Sequence, residues 1–282
     1  MKKYDHKGES EMIFKRIQLD ESAPEAYLDI YVADPTNHFT RKAILVIPGG
    51  GYGCICSDRE GEPIAMAFMP YGYNAFVLHY SVKENGRYFP SQLIQASLAM
   101  KHIRDNAEEY GIDKDKVFAV GFSAGGHLCA SLGTMWHKKE IYDAIDMPFG
   151  YNRPTGIMPI YPVINGTEDW AHRGSFYNLL GTKEPTETQL IECSIEKNVD
   201  EHASPAFIMH TSNDQLVNVR NALVLANAYA ALGKTFELHI YPDAPHGVAL
   251  GNKITSHAHG YWENPEIEKW VAQAAAWAES IK

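Results

Sequence analysis

The sequence predicts an α/β fold, with a mostly parallel central sheet that carries helices on both faces. Short apolar segments such as 43–47 alternate along the chain with longer segments of helical periodicity such as 91–103. This alternation is typical of successive βαβ units. The apolar segments are continuous rather than alternating, which indicates strands buried on both faces. The chain of 282 residues is long enough for one large domain, so we predict a single domain over residues 1–282.

The individual elements follow from the local pattern. Seven segments predict strands, by alternation or by a continuous apolar run: 27–32, 43–47, 75–78, 117–120, 156–161, 206–210 and 236–241. Four segments predict helices by their spacing or start signals: from Ser91 to near Gly111, from Ala124, 222–229, and from Pro265 to the carboxyl end.

Residues 163–204 break this alternation. The segment is rich in Thr, Glu, Gly and Asn and has no clear period. A connection of this length is more often functional than a plain linker. We therefore predict a small insertion over the active-site edge of the sheet, with short helices and loops of its own that shape a substrate pocket.

Charge and composition exclude several classes of partner. The formal net charge is −10 and no basic run is longer than a pair, so the protein repels nucleic acid and anionic membranes. The first residues lack the apolar core of a secretory signal, and the four cysteines lack disulfide or zinc spacing. We predict a cytoplasmic protein with free thiols, no metal and no cofactor; both a monomer and a homo-oligomer are compatible with the sequence.

The segment Gly121-Phe122-Ser123-Ala124-Gly125 carries the strongest functional signal. It follows the predicted strand 117–120 and precedes a small-residue stretch that begins a helix. Glycines on either side of a serine permit a strained strand-turn-helix connection that exposes the hydroxyl at the edge of the sheet. The pattern predicts Ser123 as a nucleophile.

A serine hydroxyl needs a base, and the base needs an orienting carboxylate. Functional groups in such sheets follow the carboxyl ends of strands. That rule selects Asp214 and His246, each just after a predicted strand. Along the chain the three residues come in the order nucleophile, acid and base, which is the order expected on a sheet of this type. Three other carboxylates are weaker candidates, with solvated or capping positions expected: Asp243, Asp200 and Asp169.

The glycine triplet in Pro48-Gly49-Gly50-Gly51-Tyr52 directly follows the predicted strand 43–47. It offers closely spaced backbone N–H groups without side chains. We predict that the N–H groups of Gly50, Gly51 and Ala124 form an oxyanion hole. A phosphate-binding loop is the alternative, but no Lys followed by Ser or Thr comes after the glycines.

Four further side chains are candidates for the substrate pocket, with core packing as the alternative for each: Tyr52, His127, Trp170 and Tyr177. The pair His257 and His259 has a spacing seen in metal sites, but no carboxylate cluster lies nearby in the sequence. We therefore do not assign a metal to this pair.

Together these motifs resemble the α/β-hydrolase superfamily, and within it the bacterial esterases that include hormone-sensitive-lipase-like and carbohydrate acetyl esterases. The resemblance runs from about Ala43 to His246, and Gly125-Gly126-His127-Leu128 and Asn178-Leu179-Leu180-Gly181 are similar to xylan-related sugar deacetylases. It implies a serine carboxylesterase that removes short acyl groups, chiefly acetyl, from sugars or xylo-oligosaccharides through an acyl-enzyme.

Two other functions stay open. The same three side chains serve amide hydrolysis, as in an aryl formamidase or a small peptidase. The scaffold is also reused for non-catalytic binding. The presence of serine, aspartate and histidine together favours an enzyme acting on a small-molecule ester.

Overall fold

A computed structural model describes residues 12–34, 39–256 and 262–281. Within these ranges the chain forms an eight-stranded sheet. The strands are β1 (Ile13–Gln18), β2 (Tyr27–Val32), β3 (Arg41–Ile47), β4 (Tyr73–His79), β5 (Ile112–Phe122), β6 (Ile157–Ile160), β7 (Ala206–Thr211) and β8 (Phe236–Tyr241).

Nine α-helices lie within the same described ranges: α1 (Ser57–Glu60), α2 (Glu62–Phe68), α3 (Ser91–Asp105), α4 (Ala124–Met135), α5 (Lys139–Ala144), α6 (Arg173–Leu180), α7 (Glu187–Cys193), α8 (Arg220–Ala231) and α9 (Trp270–Ser280). Short 3₁₀ helices occur at Met69–Tyr71, Lys83–Asn85, Ile195–Lys197 and Ile267–Lys269.

The strand order across the sheet is β1-β2-β4-β3-β5-β6-β7-β8. The pairs β1–β2 and β2–β4 are antiparallel, and every later pair is parallel. The predicted α/β class with a mostly parallel sheet is confirmed. Because β3, β5, β7 and β8 are mutually parallel, the connections that follow them leave from the same edge.

The central strands are buried on both faces, as their continuous apolar runs predict. In β3, Leu45 packs in a core with residues of α3, α4 and α8, such as Leu93. Its neighbour Val46 points the other way, into a core with residues of α2 and α9, such as Trp270. Alternating strand residues thus supply two separate hydrophobic layers.

Several boundaries differ from the sequence-based expectation. The helix that begins at Ser91 ends at Asp105, not near Gly111, and β5 extends from Ile112 through eleven residues. The final α-helix starts at Trp270, after a 3₁₀ turn, rather than at Pro265. Strand β1 and the short helices α1 and α2 were not predicted, because an edge strand with one exposed face and helices of four and seven residues carry little periodic signal.

The predicted insertion, 163–204, contains α6, α7 and the 3₁₀ helix Ile195–Lys197. Its apolar side chains join the core on the α4 face, including Phe176, Leu179 and Leu190. These buried residues anchor the segment against the sheet layer, although the sequence shows no regular period there.

The four cysteines, Cys54, Cys56, Cys129 and Cys193, are free thiols, as predicted. None of the helices in the described ranges is both long enough and apolar enough to cross a bilayer.

Candidate active site

Ser123 occupies the sharp turn between β5 and α4. Its backbone has φ 54° and ψ −117°, a conformation that non-glycine residues rarely adopt. A Cβ on Gly125 would lie 2.1 Å from the carbonyl oxygen of Ile47, and a Cβ on Gly121 would lie 2.1 Å from that of Gly125. The two glycines therefore allow the strand, turn and helix to approach closely enough to hold Ser123 in this strained conformation.

The structure brings Ser123, His246 and Asp214 together from three separate loops. His246 Nε2 lies 2.8 Å from Ser123 Oγ, and His246 Nδ1 lies 2.6 Å from Asp214 Oδ2. A carboxylate only accepts hydrogen bonds, so Nδ1 carries the ring hydrogen and donates to Asp214. Nε2 is then the lone-pair nitrogen that can accept the proton of the serine hydroxyl.

Asp214 is held from several directions. Its Oδ1 accepts the backbone N–H groups of Leu216 and Val217, each at 2.9 Å. His210 Nε2 lies 3.4 Å from Oδ2, the oxygen that also contacts His246, and 2.9 Å from the carbonyl oxygen of Val217. Burial alone would raise the pKa of Asp214, but the hydrogen bonds from His210, His246 and Val217 outweigh it and lower that pKa well below its usual range. The carboxylate therefore stays ionised beside the imidazole.

Residues 48–52, the glycine loop, follow β3 and lie directly beside Ser123. A Cβ on Gly49 would lie 3.0 Å from Ser123 Cβ. Gly50 and Gly51 have φ of 125° and 63°, values that favour glycine. Among the described residues, no hydrogen-bond acceptor is found for the N–H groups of Gly50, Gly51 and Ala124.

A buried glutamate that the sequence analysis missed supports this loop. Glu60, 2% exposed, accepts the N–H of Gly49 at 2.8 Å and the hydroxyl of Tyr161 at 2.9 Å. Tyr161 in turn accepts the N–H of Ala249 at 3.1 Å, and its ring lies 5.0 Å from that of His246. Burial raises the pKa of Glu60, although the Gly49 hydrogen bond opposes this. Glu60 thus connects the glycine loop with the loop that carries His246.

Two predicted pocket residues lie in the core instead. Tyr52 and His127 are each 1% exposed. The Tyr52 hydroxyl lies 2.8 Å from His127 Nδ1, and His127 Nε2 donates to the carbonyl of Cys193 at 2.7 Å. Burial lowers the pKa of His127 to about 4. Their role as substrate contacts is corrected, because both polar ends are already bonded to the protein and shielded from the surface.

The cleft beside His246 is lined by residues other than those predicted for the pocket. It has a volume of about 600 Å³, and its walls include Asn213, Leu216, Asp243, His246, Trp262 and Glu263. Trp170 and Tyr177 are half-buried and are not among its lining residues. The histidine pair His257 and His259 lies outside the described residues. Trp262 was missed because it lies in a polar connection without a strand or helix pattern.

The 163–204 segment reaches the same edge of the sheet. Asn178 Nδ2 donates to the carbonyl of Gly51 at 2.9 Å. His172, at the start of α6, lies 2.9 Å from Ser175 Oγ through Nδ1. The pKa of His172 is lowered by burial and, to a smaller extent, by the charge of His246. This segment therefore contacts the glycine loop and adds an imidazole close to the proposed base.

Comparisons with known proteins show the family of this chain. The BD-FAE family profile matches residues 28–229. Endo-1,4-beta-xylanase B of Butyrivibrio fibrisolvens is 38% identical over 215 residues, which is 75% of this chain and 33% of that protein. Acetylxylan esterase of Xylanibacter ruminicola is 30% identical over 219 residues, 77% of this chain and 43% of that protein. The chain thus spans only a third to less than half of the length of these relatives.

A solved structure of similar size matches almost throughout. The acetyl ester-xyloside bifunctional hydrolase from Caldicellulosiruptor lactoaceticus superposes with a TM-score of 0.80 at 31% identity, covering 95% of this chain and 96% of that one. This likeness confirms the predicted α/β-hydrolase fold. The chain belongs to the BD-FAE family and has the α/β-hydrolase fold.

Proposed function

We propose that the chain is a serine carboxylic ester hydrolase that removes acetyl and other short acyl groups from xylo-oligosaccharides or related sugars. The observation that carries the proposal is the hydrogen-bonded series Ser123, His246 and Asp214. It lies beside a glycine loop in which the N–H groups of Gly50 and Gly51 have no acceptor in the part of the chain that the structure describes. The similarity to esterases, two of them named for acetyl ester or acetylxylan substrates, supports the ester and the sugar.

In the first half-reaction, Ser123 Oγ attacks the ester carbonyl carbon while His246 Nε2 takes the hydroxyl proton. The carbonyl oxygen becomes an oxyanion, which the N–H groups of Gly50, Gly51 and Ala124 stabilise. His246 then donates its proton to the sugar oxygen. The bond between that oxygen and the acyl carbon breaks, the sugar alcohol leaves, and the acyl group stays on Ser123.

In the second half-reaction, a water molecule attacks the acyl carbon and His246 takes its proton. The bond to Ser123 Oγ breaks, His246 returns the proton to the serine, and the short carboxylic acid leaves. Asp214 stays ionised throughout and stabilises the imidazolium that forms twice in each cycle. Its lowered pKa suits that role.

The cleft beside His246 is the place we propose for the sugar. Trp262 supplies an aromatic ring, and the carboxylates of Asp243 and Glu263 supply acceptors for sugar hydroxyls. Two carboxylates in this wall, in a protein of formal net charge −10, repel an anionic substrate. We therefore expect a preference for neutral acetylated xylose units over units that carry a uronic acid.

The test is a hydrolysis panel on the purified chain. It contains neutral acetylated xylo-oligosaccharides, uronic-acid-substituted ones, p-nitrophenyl esters of increasing acyl length, and aryl formamides for the competing amide activity. The expected order places neutral acetylated sugars and p-nitrophenyl acetate first. Faster cleavage of formamides, or no cleavage of any ester, would refute the proposal.

Two variants connect the activity to the site. Ser123→Ala is expected to lower p-nitrophenyl acetate turnover by at least about 10⁴-fold, because the nucleophile is gone. Ser280→Ala is the matched control, since Ser280 is an exposed residue at the end of α9 and its loss leaves turnover unchanged. Equal turnover in S123A and wild type would contradict the assignment.

A further inference from the structure

A cluster of three potential metal ligands lies outside the proposed active site. His137, Asp200 and His202 each offer a ligand atom, and these atoms lie within 4.8 Å of one another. His137 follows the carboxyl end of α4, whereas Asp200 and His202 belong to the loop before β7. Residues distant in the sequence therefore converge on one half-buried point.

The spacing within the cluster fits a metal ion. His137 Nε2 lies 3.3 Å from Asp200 Oδ2, and the rings of His137 and His202 have centroids 4.4 Å apart. Nitrogen and oxygen ligands at their usual distances from a tetrahedral zinc ion lie about 3.3 Å from each other. The first pair thus already has the separation of two ligands of one ion.

The protein also orients these ligands through second contacts. Asp200 Oδ1 accepts the backbone N–H of His202 at 2.8 Å, which leaves Oδ2 directed at His137. The carbonyl of His202 accepts the indole N–H of Trp136 at 2.8 Å. This hydrogen bond joins the loop before β7 to the residue that precedes His137. Hydrogen bonds of this kind fix ligand orientation in metal sites.

The electrostatic setting favours a cation. His137 lies just beyond the carboxyl end of α4, where the helix dipole attracts positive charge. The charges of Asp200 and Glu201 act on His137 as well, and each favours positive charge there. The buried Nδ1 of His137 has no hydrogen-bond partner among the described residues.

We propose that His137, Asp200 and His202 bind a divalent transition metal ion, with zinc the best match to two imidazoles and a carboxylate. Ser123 precedes the first residue of α4, and the helix is 12 residues long, about 18 Å. The ion therefore lies far from the ester chemistry. It links the carboxyl end of α4 to the loop before β7, and so stabilises the fold.

The test uses the full chain after removal of metal with a chelator. Zinc binding is measured by calorimetry, and cobalt binding by the absorption bands of a four-coordinate ion. His202→Gln removes one ligand from a side chain that is 40% exposed. Asp200→Asn removes the carboxylate but retains an amide oxygen to accept the His202 N–H. His239→Gln is the matched control, because it removes a histidine from a separate pair with Glu237.

We expect wild type and H239Q to bind one zinc equivalent at this site, with a higher melting temperature when zinc is present. Zinc binding is expected to be at least about tenfold weaker in H202Q and D200N, with the thermal shift lost. Wild type that binds neither ion, or an affinity that is unchanged in both ligand variants, would overturn the proposal. Neither readout depends on ester hydrolysis, so the result is independent of the proposed function.

Discussion

At the residue scale, the proposed site depends on the way Asp214 is held. Its Oδ1 accepts two backbone N–H groups, and its Oδ2 lies 2.6 Å from His246 Nδ1 and 3.4 Å from His210 Nε2. This arrangement leaves His246 a single productive orientation, with its hydrogen on Nδ1. In the proposed mechanism, Asp214 therefore fixes the tautomer of His246 as well as stabilising its charge.

Replacing Asp214 with asparagine tests this interpretation. The amide can still accept from Leu216 and Val217, but its NH₂ group faces His246 and favours the wrong tautomer. We expect kcat for p-nitrophenyl acetate to fall about 10⁴-fold with an unchanged circular dichroism spectrum. Asp113→Asn, at the start of β5, is the control with wild-type kcat. A D214N enzyme within about tenfold of wild type would exclude this role for Asp214.

At the element scale, the turn between β5 and α4 depends on the absence of side chains. The Gly125 position has carbonyl oxygens of Ile47 and Pro48 within 2.3 Å of an added Cβ, and backbone atoms cannot move aside easily. The glycine therefore fixes the distance between the nucleophile turn and the carboxyl end of β3.

Gly125→Ala is accordingly expected to lower the melting temperature strongly or prevent folding, because the clash is with backbone. The loss corresponds to several kcal/mol, of order 3 or more. Gly174→Ala in α6 is the matched control: its Cβ would meet its nearest neighbour at 3.7 Å, and alanine is the better helix former. Thermal unfolding of both variants checks the prediction, and a G125A protein as stable as G174A would contradict it.

The position of the glycine loop depends on a side chain from another part of the chain, Glu60. Glu60 accepts from Gly49 with one oxygen and from Tyr161 with the other. Glutamine retains one acceptor and presents an NH₂ group to the other donor, so the loop shifts. A buried neutral amide also costs less desolvation than a carboxylate.

For Glu60→Gln we therefore expect kcat/KM to fall about tenfold without a matching loss of melting temperature. Glu62→Gln, an exposed neighbour at the start of α2, is the control and retains both values. The two measurements separate positioning from stability. If E60Q has the kcat/KM of wild type, the glycine loop does not require this carboxylate.

At the scale of the whole molecule, a buried chain of hydrogen bonds joins three parts of the fold. Tyr52 in the glycine loop bonds to His127 in α4, which bonds to Cys193 at the end of α7. Nε2 of His127 carries the ring hydrogen and Nδ1 accepts a hydrogen bond from the Tyr52 hydroxyl. A second proton on Nδ1 would break that hydrogen bond. Burial accordingly lowers the pKa of His127 from 6.5 to about 4.

This shift predicts a pH-dependent stability. The unfolded chain binds the proton more readily than the folded one, so the stability is complete above 6.5 and is lost as the pH falls toward about 4. Between about pH 7 and about pH 5, His127 should account for a loss of about 2 kcal/mol in the free energy of unfolding. Urea unfolding of wild type and His127→Gln at both pH values measures it, and equal losses in the two proteins would contradict the prediction.

The central strands could be predicted from the sequence because a short, continuous apolar run bounded by polar residues is typical of a strand buried on both faces. Ser123, Asp214 and His246, which the structure brings together, could also be selected, since glycines and strand ends carry a local signal. Glu60 and His210 were missed because their roles arise from packing between distant segments. Tyr52 and His127 were assigned to the pocket because an alternating or helical pattern does not show whether a polar tip is already bonded inside.

We propose that Ser123 is an activated nucleophile, and covalent labelling measures its reactivity without any substrate. A fluorophosphonate probe reacts with a serine only when a neighbouring base raises its nucleophilicity. Mass spectrometry of the labelled wild-type protein is expected to show one adduct, on Ser123, with no adduct in S123A and a strongly reduced rate in His246→Asn. Wild-type protein that does not react, or S123A that reacts as fast as wild type, would exclude Ser123 as the nucleophile.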